Sequence, residues 1–420
     1  TRSHCDWSSD VCSSDLATSC ELSPAIPHVL TIGEIEQITA DYAQACATLK
    51  DCGFDGADLA FYDDQLPDQF WSPQTNHRRD RYGGALENRL RFSLDVLEAI
   101  RSAVGREFIV GARVSGDDRL PGGLSPEELL EIIQRLDRTE QLDYFTVTGG
   151  TISTFRSRGW NIPSAYYGLG TFVSLAGRIR STVNTPVIVT GRIVTPDQAE
   201  QVLQSGAADL VGMTRALIAD PDLPTKARNQ QPEQIRVCMG SNEGCIDRLY
   251  FGLPIGCVQN PVVGREQSWG NLTPATKPRH IVVIGGGPAG METARVAASR
   301  QHQVTLVERD NKLGGAIQIV ARAAGWESYL QCVTWLKNQL QDLEVDIRLE
   351  TDATTNLIRS LSPDAVVVAT GAEPRRPNLA GANLPHVVTV SDILSGSVSA
   401  SGRCVILDET GYTQIGRAHV

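Results

Sequence analysis

A chain of 420 residues with 41% hydrophobic and 21% charged side chains has the balance of a globular protein of two or three domains. A formal net charge of -11 argues against a nucleic-acid partner, because phosphate backbones are met by clustered Lys and Arg. No apolar run reaches the roughly 18 to 20 residues that span a bilayer, and the first residues lack a basic-then-apolar signal pattern. A cytoplasmic protein that acts on a small molecule, with a homo-oligomer left open, is expected. Ten irregularly spaced cysteines fit a reducing compartment better than a disulfide framework.

The two ends stand apart. Residues 1–16 (TRSHCDWSSDVCSSDL) and 415–420 (IGRAHV) show no periodicity and resemble translated sequencing-adapter read-through. They are expected to be non-native tails and are set aside, with Cys5 and Cys12, as a fusion scar would be.

Thr31 with Glu34 forms a capping-box pattern, and Ile35, Ile38, Tyr42, Ala45 and Leu49 recur at helical spacing up to Gly53. GFDGADLAF (53–61) then reads as a buried parallel strand. Further strands are expected at 108–115, 144–150, 185–193 and 208–215. Helices are expected to start near Gly84, at Ser125-Pro126 with Glu128, and at Thr195-Pro196 with Gln198. Such alternation predicts an α/β fold with a parallel sheet. Without a Rossmann glycine signature in this half, the better expectation is part of a TIM (β/α)8 barrel over residues 17–236. Only five strands are legible, too few to close a barrel. The string NHRRDRYGGALENRLRF (76–92) reads as a turn feeding an amphipathic helix with Leu86, Leu90, Leu94 and Leu97 inward, and so as scaffold.

Cysteines next gather at Cys238, Cys245 and Cys257 in a segment placed at 237–278 with the linker that follows it. Thiols this close in a reduced chain point to an iron-sulfur cluster more than to zinc, whose structural sites usually come as two short ligand pairs. Ser241 stands where the cluster spacing calls for a second cysteine. Inert buried thiols are the competing reading.

HIVVIGGGPAGMETARVAA then runs a strand into Gly285, Gly287 and Gly290 and on into a helix, with Glu308 ending the next strand. Strand, glycines, helix and acidic residue in this order predict a Rossmann-like FAD or NAD(P)-binding domain over 279–414.

The cysteine segment with QNPVVGRE after it resembles that of the iron-sulfur flavoprotein family that includes trimethylamine dehydrogenase, bacterial 2,4-dienoyl-CoA reductase and N-methylproline demethylase-like proteins, relatives of old yellow enzyme. The resemblance covers roughly residues 20 to 412. It implies an FMN barrel lacking its first three strands, a 4Fe-4S cluster on Cys238, Ser241, Cys245 and Cys257, and an FAD or ADP-binding domain that exchanges electrons with NAD(P)H. It also implies that Arg113 lies beside the FMN ring and that Gly191, Arg192, Gly212, Met213, Thr214 and Arg215 hold the FMN phosphate. Gly314, Gly315 and Gly371 are matched to FAD contacts, and CVILDETGYTQ to the opening strand of an inserted NAD(P)H-binding subdomain.

One stretch departs from the family. After the first strand, Ala60 and Asp63 occupy positions often held by histidines, and Gln65 replaces a proton-donating tyrosine, which disfavours enoyl reduction. Asp63 and Asp64 instead suit a cationic ammonium substrate, one of them taking its proton if its pKa is raised. The expected activity is therefore oxidative N-demethylation of a methylated amine or betaine. Alternatives are a dienoyl-CoA-type reductase, a non-catalytic electron-carrier subunit, an inactive fragment or a zinc-binding module. Tyr144, Trp160 and Tyr166 are either pocket or core aromatics.

Overall fold

The structure, a computed structural model, describes residues 28–376 and 378–407, so both expected tails lie outside the described residues. The chain divides into two compact units between Pro221 and Asp222.

The first unit is a parallel sheet of five strands in chain order: β1 (Gly56–Phe61), β2 (Ile109–Ser115), β3 (Tyr144–Thr148), β4 (Val187–Val189) and β5 (Leu210–Val211). Each strand is followed by helix before the next, so every neighbour is reached by a crossover, as parallel pairing requires. The strands are shorter than their apolar runs. Gly149, Gly191 and Gly212 follow the last paired residues of β3, β4 and β5 closely, and there the chain leaves the sheet.

Alternation along the strands sets two faces. Leu59, Phe61, Val110, Ala112, Val114, Phe145, Val147, Val187 and Val189 are buried against the helices. The opposite face carries Asp58, Ala60, Ile109, Arg113, Tyr144 and Leu210, and there Ile109 and Leu210 are exposed. In a closed barrel this face would be the packed interior. Five strands leave it open, as their number implies.

The helical layer forms where the local chemistry dictates. Thr31 and Ser125 complete capping boxes on the helices Ile32–Asp51 and Pro126–Asp137, each cap contributing about 1 kcal/mol. Leu90 and Leu97 of the helix Leu86–Val104 are fully buried, while Leu86 and Leu94 pack on the core's margin. Phe70 stacks on Phe92 at 4.8 Å, and Phe61 meets Trp71 edge-on at 5.9 Å. Full burial of such a ring contributes roughly 1.5–3 kcal/mol.

At the sheet's N-terminal end, the buried Arg101 guanidinium donates to the carbonyls of Gln141 and Phe108 at 2.7 Å each and to the Asp143 carboxylate at 2.7 Å. Asp143 also accepts from Val110 N–H at 2.7 Å. This end of the sheet is fastened; the other is free for ligands.

The second unit contains a parallel sheet in the order β8 (Asp346–Arg348), β7 (Gln303–Val307), β6 (His280–Ile284), β9 (Ala365–Val368). The cysteine-bearing segment belongs to this unit. Trp335 Nε1 donates to Gln234 O at 2.9 Å, Arg236 lies over the Trp335 ring at 4.0 Å, and Ser328 Oγ donates to Met239 O at 3.1 Å. The strand expected from Cys404 onward is not formed over Cys404–Leu407, and the rest of that stretch is outside the described residues. Val405 is 91% exposed, and no strand among the described residues pairs with it.

Candidate active site

The C-terminal ends of β1 to β5 present the sequence-predicted residues along one edge. Asp63 and Asp64 follow β1, Arg113 lies near the end of β2, and the Gly191 and Gly212 turns follow β4 and β5. Four strand spacings of ~4.8 Å separate the first and last of these, roughly 19 Å, so the edge suits an elongated ligand.

Arg113 sits opposite Ala60 in the β1–β2 register. One terminal nitrogen donates to Asp58 Oδ2 at 2.9 Å, and the guanidinium lies 5.7 Å from the Tyr62 ring centroid. Its Nε is buried and makes no hydrogen bond. A buried donor without a partner costs about 1–3 kcal/mol, and a flavin's pyrimidine carbonyl would satisfy it. The residues present therefore fit FMN.

Asp63 and Asp64 both adopt left-handed backbone, φ 61° and 59°, a conformation uncommon outside Gly, Asn and Asp. Strain of this kind collects at functional sites. The turn is tied down: Asp64 N–H donates to Asp68 Oδ2 at 3.0 Å, Ser153 Oγ donates to Asp64 Oδ2 at 2.5 Å, and Gln69 Nε2 donates to Asp64 O. Burial, reinforced by the neighbouring Asp64 charge, pushes the Asp63 carboxyl up to about 8. Burial raises Asp64 as well, against hydrogen bonds from Ser153 and Thr151 that favour its ionised form.

Two residues that sequence reasoning missed complete the cluster. Asp68 and Asp118 are each only 4% exposed. Burial and the Asp118 charge raise Asp68 well above the carboxylate range, and burial lifts Asp118 to about 7. Carboxyls crowded out of water resist ionising together. Asp68 was within reach of the sequence, in the DDQLPDQF string beside the pair. Nothing local ties Asp118 to it.

The β4 and β5 turns carry glycines where the chain leaves the sheet, and their two arginines turn inward. Gly191 has φ 100°, and a Cβ there would stand 2.5 Å from the Phe172 ring, so only glycine fits. Gly212, Met213 and Thr214 lead into the helix Thr214–Ala219. The guanidinium of Arg192, however, donates to Ala165 O at 3.0 Å and to Tyr167 O, and that of Arg215 to Pro163 O at 2.7 Å. Both arginines brace a loop through these bonds, so the turn's glycines and backbone, more than these side chains, would meet a phosphate. Trp160 is core-like at 5% exposed, Tyr144 is half-buried and Tyr166 is 62% exposed.

In the second unit, β6 has β7 on one side and β9 on the other, so the chain's order reverses at β6. Ligands bind in the crevice at such a switch point. Gly285 to Gly290 and Gly371 follow β6 and β9 directly. A Cβ on Gly290 would lie 1.9 Å from Gly285 O, whereas one on Gly287 or Gly371 would meet open space. The tight glycine lets the helix Pro288–Ser299 pack; the open ones leave room for a pyrophosphate at its N-terminus. Glu308, 8% exposed, accepts from Gly286 N–H at 2.5 Å and from Asp310 N–H at 2.9 Å. Gly314 N–H donates to Gly286 O at 2.8 Å, and Gly315 approaches Gly287. This crevice fits a dinucleotide.

The cysteine segment folds back on itself. Gly256 N–H donates to Gly244 O at 2.8 Å, Gln259 Nε2 donates to Val237 O at 2.9 Å, and Gly244 abuts the Cys257 backbone. Cys238, Cys245 and Cys257 are half-buried and in no disulfide among the described residues, and Cys245 Sγ donates to Asn242 O at 3.6 Å. Among the described residues, no three His, Cys, Asp or Glu side chains converge so as to hold a metal ion. The backbone thus gathers the expected ligands of a cluster without their side chains forming a metal centre in this arrangement. No helix among the described residues is long and apolar enough to cross a membrane.

Known proteins match both units. Residues 2–234 match the NADH:flavin oxidoreductase / NADH oxidase family and residues 279–398 the pyridine nucleotide-disulphide oxidoreductases. N,N-dimethylglycine/sarcosine dehydrogenase of Chromohalobacter salexigens is 41% identical over 89% of this chain and 55% of its own length. The probable N-methylproline demethylase of Rhizobium meliloti is 37% identical over 92% of this chain and 57% of its own length. A 2-naphthoyl-CoA reductase structure superposes with TM-score 0.86 at 32% identity, covering 92% of this chain and 59% of that one. The chain spans little more than half the length of these relatives. With a family match over more than half its residues and a 41% identical relative over 89% of its length, the chain belongs to the NADH:flavin oxidoreductase / NADH oxidase family of flavin-dependent oxidoreductases.

Proposed function

We propose that the protein oxidatively demethylates an N-methylated amine or amino acid, with Asp63 as proton acceptor and Asp64 as anionic anchor. The carrying observation is the Asp63 carboxyl raised to about 8 beside a second, hydrogen-bonded aspartate. A base works best when its pKa lies near the working pH. An alkylammonium must lose its proton before its methyl C–H can leave as hydride, and Asp63 accepts that proton. Asp64, held by Ser153, keeps the cation in place.

FMN held at this edge would supply the two-electron acceptor for that hydride. The iminium left on the substrate adds water and releases formaldehyde and the demethylated amine. Arg113 supplies a fixed cation at the ring's expected position, which favours added negative charge there. The Gly191 and Gly212 turns hold the phosphate end, and Gly285, Gly287, Gly290, Glu308, Gly314, Gly315 and Gly371 hold FAD or another adenine dinucleotide that exchanges electrons with NAD(P)H. Cytoplasmic location is part of this reading, supported by the free state of the described cysteines. The relatives that act on dimethylglycine, sarcosine and N-methylproline support the substrate class.

The test is anaerobic flavin bleaching with a panel of amines. Reduction by sarcosine, dimethylglycine or N-methylproline is expected. Silence with all of them, together with NADPH oxidation by an enoyl thioester, would favour the reductase reading instead.

A further inference from the structure

Next to the acidic turn, the loops after β2 and β3 line an open cavity of about 530 Å³ whose wall includes Asp117, Arg119, Arg156, Trp160 and Tyr167. Its size falls in the roughly 300–1,000 Å³ range of small-molecule sites. Its position at the C-terminal ends of the strands is where this architecture places ligands. Two cations against one carboxylate make the wall net positive.

Arg119 is held for a purpose that its own contacts do not exhaust. Its guanidinium carbon lies 3.9 Å from the Trp160 ring centroid, and Trp160 is in turn fixed edge-on to Phe172 at 5.0 Å. Its carboxylate neighbour among the described residues, Asp117, is 3.8 Å from Nε, and 53% of the side chain remains exposed. The residue also takes a left-handed backbone, φ 50°, unusual for a long side chain. Arg156 is exposed and has no ion pair among the described residues. A guanidinium already immobilised on an aromatic face loses little further freedom on binding, and its planar fork matches carboxylate and phosphate oxygens. Asp118, the residue just before Arg119, is 4% exposed and feels the Asp64 charge. One turn therefore contributes to the acidic cluster through Asp118 and to the cationic wall through Arg119.

We propose that this cavity binds an organic anion whose carboxylate or phosphate-monoester oxygens are met by Arg119 and Arg156. The two sources of such oxygens are a substrate's own carboxylate and a phosphorylated cofactor or carrier.

Calorimetric titration of the 420-residue protein with benzoate, phenyl phosphate and neutral benzamide tests this. These probes share one aromatic body. Saturable one-to-one binding of benzoate or phenyl phosphate, without benzamide, is expected, and the preferred oxyanion identifies the source. Arg119→Gln and Arg156→Gln should each weaken it by about tenfold, the loss of roughly one charge-assisted hydrogen bond. Arg135→Gln removes the same charge from a surface pair with Glu87 and Glu131 and should change nothing. Should Arg119→Gln fail to fold, the exposed Arg156 carries the test. Absence of saturable binding, equal binding of benzamide, survival of binding in both variants, or equal weakening by Arg135→Gln overturns the proposal.

Discussion

The backbone N–H of Asp64 donates to the Asp68 carboxylate at 3.0 Å, tying the strained turn after β1 to a side chain that is only 4% exposed. A carboxylate so placed makes the site's geometry depend on the site's protonation.

That dependence has a sign. Burial raises Asp63 to about 8 and Asp118 to about 7, while both titrate near 3.9 when unfolded. The folded state thus binds more protons, and stability present below pH ~4 is lost as pH rises through 8. Exposed carboxylates such as Glu34, lowered to about 2 by the Thr31 amide and hydroxyl, act oppositely but only under pH ~4.5. From pH 5 to pH 9 the melting temperature of the first unit should therefore fall. A net loss of 2 kcal/mol corresponds to roughly 4–8 °C at this size. Asp68→Asn should flatten the slope in calorimetry; a profile that rises with pH would contradict the buried cluster.

Arg101 belongs to the opposite end of the sheet and to stability alone. Arg101→Ala strands the carbonyls of Gln141 and Phe108 and the Asp143 carboxylate, a loss of about 3 kcal/mol. Chemical denaturation should register it, while FMN affinity of the folded fraction stays unchanged. A selective loss of FMN affinity would mean that this end communicates with the site.

Two glycines of one motif should behave differently. Gly290→Ala places a Cβ 1.9 Å from Gly285 O, so the second unit should lose about 1–3 kcal/mol by overpacking. Gly287→Ala meets open space and has φ -73°. Its melting temperature should hold while ADP or FAD affinity drops tenfold or more. Equal destabilisation by both would remove the crevice assignment.

Thiol alkylation at neutral pH separates the cysteines. Burial raises the Cys46 and Cys332 thiols, the latter to about 11, and both should resist. Cys52 and Cys404 are exposed and Cys238, Cys245 and Cys257 half-buried, so these should label in that order, read by peptide mass spectrometry. Joint protection of Cys238, Cys245 and Cys257, with iron in the sample, would show that a metal centre assembles from them after all.

Much of the scaffold was legible because its signals are local. The Thr31–Glu34 and Ser125–Glu128 boxes and the Gly285–Gly290 run each specify geometry within a few residues, and each stands where the sequence placed it. β8 escaped notice because Asp346–Arg348 is three residues long with no apolar run, its pairing set by the neighbouring β7. The Cys404 strand was expected from resemblance and, among the described residues, has no partner to pair with. In the site, Asp63 and Asp64 were visible as a doublet, but Asp118 reaches them only through the β1–β2 register, and the inward bracing of Arg192 and Arg215 depends on carbonyls 163 to 167. Long-range pairing of polar groups leaves no periodic trace.

The most direct measurement is the rate of anaerobic flavin reduction by an N-methylated amino acid between pH 6 and pH 10, in the wild type and in Asp63→Asn. Ionised Asp63 should be the active form, so the wild-type rate should climb to a plateau with a midpoint near 8, the value burial imposes on that carboxyl. The variant, equally loaded with FMN, should fall by about 100-fold or more, the usual worth of a general base, and lose that midpoint. An unchanged rate and midpoint in Asp63→Asn would contradict the assignment of the proton to this residue.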